Sequence, residues 1–280
     1  MQGSSLRALA RLLLYAAATL PLMPLQAVFV LLGSRLARRL PVAYHAACCR
    51  LLGLARRIEG EISSDRPTLF VANHTSYLDI TILSASVETS FIAKREVARW
   101  PFFGWLARLQ RTVFVDRRVS RVASERDDVA RRLAQGDNLV LFAEGTSSDG
   151  VFIRSFKSSL FAVAEREFAG RKLVVQPVTL AYTRLDGMPI GRAWRPLFAW
   201  YGDMDMVPHM FRLLGLGRID AELIFHPPVT LAEFASRKSL AEHCERTIRS
   251  GLAAVNAGRT APLRPAAAVQ GALALAGGAS

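Results

Sequence analysis

The chain opens on a long uncharged run and then settles into short apolar segments separated by polar turns. Between Leu12 and Leu32 no charged residue occurs across 21 positions, and about 20 apolar residues suffice to cross a bilayer. Pro21 and Pro24 sit in the middle of the run, and proline interrupts the hydrogen-bond ladder of a helix. The pattern predicts two shorter helices around a proline kink, lying in or dipping into one leaflet. A single kinked spanning helix, a cleaved signal peptide and a buried core hairpin are the competing readings. The run exceeds the apolar core of a signal peptide, about 7–15 residues.

Beyond residue 58 the periodicity changes. Thr68–Ala72 reads as a short buried strand, followed by a polar turn at Asn73–Ser76 and a helix over Tyr77–Ser84. Ser90–Ala93 and Thr112–Val115 read as further strands, with an aromatic, partly helical Pro101–Leu109 between them. Arg121–Gln135 has helical spacing and is closed by Gly136, a good helix stop. Asn138–Phe142 is a fourth strand, and Glu144–Gly150 a polar loop. A helix is expected over Lys157–Phe168, strands over Leu173–Val178, Phe198–Tyr201 and Ala221–Phe225, and a closing helix over Ser239–Ala254. Strands alternating with helices predict an α/β fold, a mostly parallel sheet flanked by helices behind an N-terminal helical membrane anchor. The expected division is an anchoring segment at 1–58, an α/β domain at 59–255 and an Ala-, Gly- and Pro-rich disordered tail at 256–280.

Charge sharpens the reading of the first segment. The chain of 280 residues carries a net charge of +13, and residues 1–58 hold eight arginines and no acid. Arginine on both flanks of an apolar run suits anionic headgroups, so a lipid membrane is the expected partner. Nucleic acid is not, because the basic segment is interleaved with Leu, Ala and Val and no nucleic-acid-binding pattern occurs. Cys48, Cys49 and Cys244 allow neither a disulfide framework nor a zinc site, which fits a surface facing a reducing compartment.

Three turns carry candidate chemistry. In Asn73-His74-Thr75-Ser76-Tyr77-Leu78-Asp79 a histidine leaves a buried strand and an acid follows five residues later. Five is not a same-face helical spacing, but a turn between the two brings the carboxylate onto the imidazole, as a general base requires. Alone, the same residues also describe a strand cap and a helix-turn acid. The loop Glu144-Gly145-Thr146-Ser147-Ser148-Asp149 follows another buried strand, and ligands of open α/β sheets bind beyond the carboxyl ends of strands. Lys94 closes the Ser90 strand, where it either polarises a carbonyl or snorkels at the surface.

In order, the blocks are Asn-His-x4-Asp, then Phe91-x-x-Lys94-x-Glu96-x4-Pro101-x-x-Gly104 with a trailing Phe114-Val115-Asp116-Arg117, then Phe142-x-Glu144-Gly145-Thr146, then Val175-x-Pro177-Val178. Together they resemble the lysophospholipid acyltransferase family, the group of 1-acylglycerol-3-phosphate acyltransferases, over about Thr68 to Leu180. The resemblance implies a glycerol-phosphate acyltransferase-like fold and transfer of a fatty acyl group from a thioester, of acyl carrier protein or coenzyme A, to a lipid hydroxyl. No metal and no cofactor beyond that donor is implied. It implies His74 as general base, Asp79 as its partner and Lys94 as a stabiliser of the oxyanion. Asn73, Arg117, Glu144, Gly145, Thr146, Ser147, Ser148, Asp149 and Lys157 fall to the substrate.

Ser147 departs from the family pattern, where an arginine suited to a phosphomonoester is usual. The run Glu-Gly-Thr-Ser-Ser-Asp-Gly followed by Phe156-Lys157-Ser158 is more similar to the branch that acylates lyso-ornithine lipid, whose headgroup is an amino acid. Asp149 is then set to pair with the headgroup cation, and Arg154 or Lys157 with its carboxylate. Arg108, Arg111, Arg117, Arg118 and Arg121 offer a basic face to an acidic carrier protein. The alternatives are an acyltransferase acting on 1-acylglycerol 3-phosphate and a non-catalytic lipid-binding membrane protein. The expected location is the cytoplasmic face of a bacterial inner membrane.

Overall fold

The computed structural model of the chain describes residues 3–115, 122–259 and 264–265. Helix α1 (Ser5–Leu31) and helix α2 (Leu36–Leu52) form an N-terminal hairpin. The domain behind it has seven main strands: β1 (Leu54–Glu59), β2 (Thr68–Ala72), β3 (Ser90–Lys94), β4 (Val113–Val115), β5 (Leu139–Phe142), β6 (Val174–Leu185) and β7 (Ile219–Phe225). They lie in the order β1-β7-β6-β2-β5-β3-β4, with Arg264–Pro265 pairing antiparallel outside β1. Only the β7–β6 pairing among the seven is antiparallel. Helices α3 (Leu78–Ser84), α4 (Phe103–Leu109), α5 (Val122–Ala134), α6 (Met206–Gly215) and α7 (Arg237–Asn256) complete the fold.

Each central strand feeds two cores. On one face Phe70, Ala72, Val140, Val178, Leu180 and Tyr182 pack with α3 and the α6 residue Leu213. On the other, Leu69, Val71, Leu139, Leu141, Val175 and Ala181 pack with Leu133 of α5 and Leu240 and Ile248 of α7. Successive side chains of a strand point to opposite faces, which is why all five residues of β2 are buried.

Several elements differ from the sequence expectation. Helix α1 runs unbroken through both prolines, and the turn comes at Gly33, whose φ is +61°. Pro21 and Pro24 are exposed, one turn apart, so the carbonyls they leave free face outward. The inner side of α1 keeps its contacts, with Thr19 on Tyr44 and Gln26 on Ala37. Strand β1 crosses residue 58, the expected end of the anchoring segment, and pairs along its whole length with β7. Its arginines serve the domain: Arg57 faces Asp220, and Arg56 donates to the Ala85 carbonyl.

The segment expected as a helix over Lys157–Phe168 is a 3-10 helix at Ser158–Glu165 that gives way to a small hairpin. Phe161, Ala162, Val163 and Ala164 are all buried, so no polar stripe exists to support an amphipathic α-helix. Phe198–Tyr201 forms no strand. It follows a 3-10 turn, Phe198 stacks on Tyr182 with centroids 5.8 Å apart, and the Trp200 N–H donates to the Thr75 carbonyl at 2.9 Å. The strand expected to end at Val178 continues to Leu185. Most of the expected tail lies outside the described residues.

Candidate active site

Parallel strands β2 and β5 are in register, with Ala72 opposite Phe142. Two residues further along each chain stand His74 and Glu144, so the two strongest blocks meet at one sheet edge. The Glu144 carboxylate ties them together. Oε1 accepts from the His74 N–H at 2.8 Å and Oε2 from the Arg154 N–H at 2.8 Å. Burial raises this carboxyl from its ordinary range to about 7, against the pull of those two N–H donors.

The turn Thr75–Tyr77 precedes α3, and Asp79 lies in that helix's first turn. This folds the carboxylate back on the histidine. His74 Nδ1 donates to Asp79 Oδ2 at 2.8 Å. The same oxygen accepts from the N–H groups of Thr75 at 2.7 Å and Ser76 at 2.9 Å, and Oδ1 accepts from the Tyr182 hydroxyl at 2.6 Å. Asp79 is fully buried, so these four donors replace its hydration. Burial, followed by the Asp79 charge, pushes the Tyr182 phenol well above its ordinary range and keeps it a donor. With Nδ1–H committed to Asp79, Nε2 of a neutral His74 carries the lone pair. The imidazole also stacks on Phe142, with centroids 4.0 Å apart and planes 17° from parallel.

The other predicted residues divide. Asn73 is a correction, because its buried side chain clamps β6 instead of facing substrate. Nδ2 donates to the Leu180 carbonyl at 2.8 Å and Oδ1 accepts from the Leu180 N–H at 2.9 Å. Glu144 likewise spends its carboxylate on backbone. Gly145 takes a φ of +71°, which a glycine adopts without strain. Thr146 is half-buried beside it. Buried Ser147 donates to the Trp200 carbonyl. Ser148 donates from both its N–H and its hydroxyl to the His74 carbonyl, at 2.8 and 3.1 Å. Asp149 Oδ1 caps the N–H groups of Val151 and Phe152. The Lys157 side chain is exposed, and its N–H holds the Ala143 carbonyl.

Lys94 is exposed at the end of β3, two strands from β2 and hence roughly 10 Å across the sheet edge. Arg117, Arg118 and Arg121 lie outside the described residues. Arg111 does not belong to a free basic face, because it pairs with Asp137 at 2.6 Å. Arg108 lies over the exposed Trp105 ring. Among the described residues no cluster of ligand side chains suits a metal.

An apolar cavity of about 370 Å³ lies between the α1–α2 hairpin and the domain, within the usual range for small-molecule sites. Tyr77, Leu78 and Thr81 of the turn and helix after His74 form part of its wall, as do Trp100 and Phe103. Its walls come from segments far apart in the chain.

Tyr182 and Trp200 are site residues the sequence reading missed, and Phe142, which opens the Glu144 block, was given no role there. Continuing the alternation Val178, Leu180, Tyr182 past the last recognisable block would have put Tyr182 on the same face as its predecessors.

A family model described as Acyltransferase matches residues 55–181. The chain is 44% identical over 250 residues to the lyso-ornithine lipid O-acyltransferase of Brucella abortus, covering 88% of this chain and 94% of that protein. It is 40% identical to the protein of the same name from Rhizobium meliloti, over 84% of this chain and 82% of that one. It is 32% identical to the 1-acyl-sn-glycerol-3-phosphate acyltransferase of Neisseria gonorrhoeae, over 66% and 69%. The crystal structure of the 1-acyl-sn-glycerophosphate acyltransferase of Thermotoga maritima shares the fold, with a TM-score of 0.56 and 24% identity over 78% of this chain and 79% of that one. The fold and these relatives define an acyltransferase. The chain belongs to the acyltransferase family, in company with the lyso-ornithine lipid O-acyltransferases.

Proposed function

We propose that the protein moves a fatty acyl group from a thioester of acyl carrier protein or coenzyme A to the free hydroxyl of lyso-ornithine lipid. His74 Nε2 takes the hydroxyl proton as the oxygen attacks the thioester carbonyl. The tetrahedral intermediate collapses, the C–S bond breaks, and the proton on Nε2 passes to the departing thiolate. Asp79 holds the ring in the tautomer that leaves Nε2 free and stabilises the imidazolium formed on the way. Lys94 and backbone N–H groups are proposed to face the developing oxyanion.

The single observation that carries the acceptor assignment is Ser147. At the position where the family pattern has a phosphate-binding arginine, this chain has a buried serine that donates to the Trp200 carbonyl. A phosphomonoester finds no bidentate partner there. An amino-acid headgroup needs none, and Asp149, Arg154 and Lys157 border the same loop to receive its two charges. The lyso-ornithine lipid O-acyltransferases among the relatives support the same reading.

The hairpin supports action at a membrane. Helix α1 is long and apolar enough to cross one, and it exposes a row of leucines that includes Leu6, Leu13, Leu20 and Leu31. We place the hairpin on the cytoplasmic leaflet and the donated acyl chain in the cavity beneath it.

The deciding assay offers lyso-ornithine lipid and lysophosphatidate side by side in mixed micelles with a labelled acyl thioester. Product from lyso-ornithine lipid alone is expected. Product from lysophosphatidate alone overturns the acceptor assignment. His74→Ala is expected to lower kcat roughly a thousandfold with folding retained, and an unchanged rate removes the general-base role.

A further inference from the structure

The backbone bonds of the site reach one more element that carries charge. Beyond β6 lies a 3-10 turn, Arg192–Leu197, and the residues after it are stitched to both site turns. The Trp200 N–H donates to the Thr75 carbonyl at 2.9 Å, and the Trp200 carbonyl accepts from the Ser147 hydroxyl. Gly150 marks how near the 3-10 turn lies. A Cβ added there would stand 3.0 Å from the Thr75 methyl and 3.9 Å from the Arg195 carbonyl.

A 3-10 helix has three residues per turn, so side chains at i and i+3 share one side. Arg192 and Arg195 are such a pair. Arg192 is exposed, and its guanidinium carbon stands 5.0 Å from the centre of the Phe152 ring. Phe152 is itself tied to the loop after β5, because its N–H donates to Asp149 Oδ1 at 3.1 Å. Arg195 is half-buried and spends one N–H on the Asn256 carbonyl at 3.3 Å. Among the described residues no carboxylate pairs with either arginine. Burial, followed by the like charge of Arg192, lowers the Arg195 pKa, as befits two neighbouring cations without a counter-charge.

An aromatic ring holds a guanidinium without consuming its N–H groups. Those donors stay available to an anion, which they can meet in pairs. Arg154 and Lys157 meet the site through backbone N–H groups, whereas the Arg192 side chain is itself held in place. An acceptor whose hydroxyl meets His74 has its headgroup close by, over the residues that border that turn. We propose that Arg192, stacked on Phe152 with Arg195 beside it, binds the anionic group of the acceptor headgroup. This deepens the acyl-transfer reading and rests on it for the identity of the ligand. In lyso-ornithine lipid the anion is the carboxylate, and in lysophosphatidate it is the phosphate.

Binding is tested apart from catalysis. Full-length His74→Ala protein in detergent is titrated with lyso-ornithine lipid, with its carboxyl methyl ester and with lysophosphatidate. The acid is expected to bind roughly tenfold more tightly than the ester. Arg192→Gln, placed in the same background, is expected to bind acid and ester alike, at the parent's affinity for the ester. Arg192→Lys keeps the charge and is expected to recover part of the preference, and Phe152→Leu, which removes the ring, to lose part of it. In transfer assays with the otherwise wild-type enzyme, Arg192→Gln is expected to raise the lyso-lipid KM roughly tenfold, with kcat and the thioester KM nearly unchanged.

Binding of acid and ester with equal affinity by the parent overturns the proposal. So does an acid preference that survives Arg192→Gln, and so does failure to bind either lyso-lipid. A rise confined to the thioester KM assigns the arginines to the donor and overturns it as well. Loss of binding to phosphatidylglycerol vesicles in Arg192→Gln, with acid and ester equal in the parent, makes the arginine a membrane contact and does the same. Binding of lysophosphatidate that Arg192→Gln abolishes, with lyso-ornithine lipid unbound, supports the anion site and retires the amino-acid acceptor. An acid preference erased by Arg192→Gln, with no transfer by the wild-type enzyme, retires the acyl-transfer reading and leaves the headgroup site standing.

Discussion

The Tyr182 hydroxyl donates to Asp79 Oδ1 at 2.6 Å while the His74 imidazole donates to Oδ2 of the same carboxylate at 2.8 Å. Asp79 is thus held from both sides, and β6 sets the position of a histidine on the turn after β2. Tyr182→Phe leaves one oxygen of a buried carboxylate short of a donor. The expected result is a kcat lowered roughly tenfold with KM nearly unchanged. The pH–rate profile is expected to shift with it, because the carboxylate that supports the imidazolium has changed. A KM effect alone would reassign Tyr182 to substrate binding.

Glu144 gives the fold a pH dependence of known sign. Its folded pKa of about 7 lies above the ordinary carboxylate value, so the unfolded chain releases this proton first. Its contribution to stability is therefore full below the unfolded value and is lost as pH rises through about 7. Glu144→Gln puts an amide N–H₂ where one of two backbone N–H groups now finds an acceptor. The variant is expected to be less stable and to lack this slope. Denaturant unfolding of both proteins between acid and neutral pH measures the difference.

Asp137 is a buried carboxylate shared by three arginines. Arg38 meets it at 2.9 Å, and Arg111 and Arg132 each at 2.6 Å. Asp137→Ala leaves positive charge partly buried with no counter-charge, a loss of about 3–5 kcal/mol by analogy with broken buried pairs. Because Arg38 belongs to α2, loosening of the hairpin is expected alongside the lower unfolding midpoint. Protease susceptibility of residues 1–52 reports on it.

Ser147→Arg restores the family's phosphate partner at the price of the bond to Trp200. Lysophosphatidate use is expected to rise relative to lyso-ornithine lipid, read as a ratio of kcat/KM values. No rise would show that the residue at this position does not decide the acceptor.

Much of this site lies in adjacent segments and was legible for that reason. The turns after β2 and β5 carry His74, Asp79 and Glu144, and the hydrophobic runs before them mark both strands. The parallel register that joins the two turns is a tertiary fact, as are the stack of Phe142 on His74 and the grip of Asn73 on Leu180. Residue type misled in two ways. Asn73 and Glu144 look like groups offered to a ligand, yet they satisfy buried backbone. The arginines of β1 look like headgroup contacts, yet they serve the sheet. The prolines of α1 misled differently, since their effect depends on which side of the helix they occupy.

Helix α1 has an outer side of bare leucine and an inner side that walls the cavity. It therefore walls the cavity with a single helix, about 10 Å thick. A chain shortened by its first 31 residues to gain solubility would open the cavity to water along that side. It would also lose the bonds from Arg11 to the Leu214 and Leu216 carbonyls that moor α1 to the end of α6. The segment that looks like a detachable anchor is a structural part of the cavity wall.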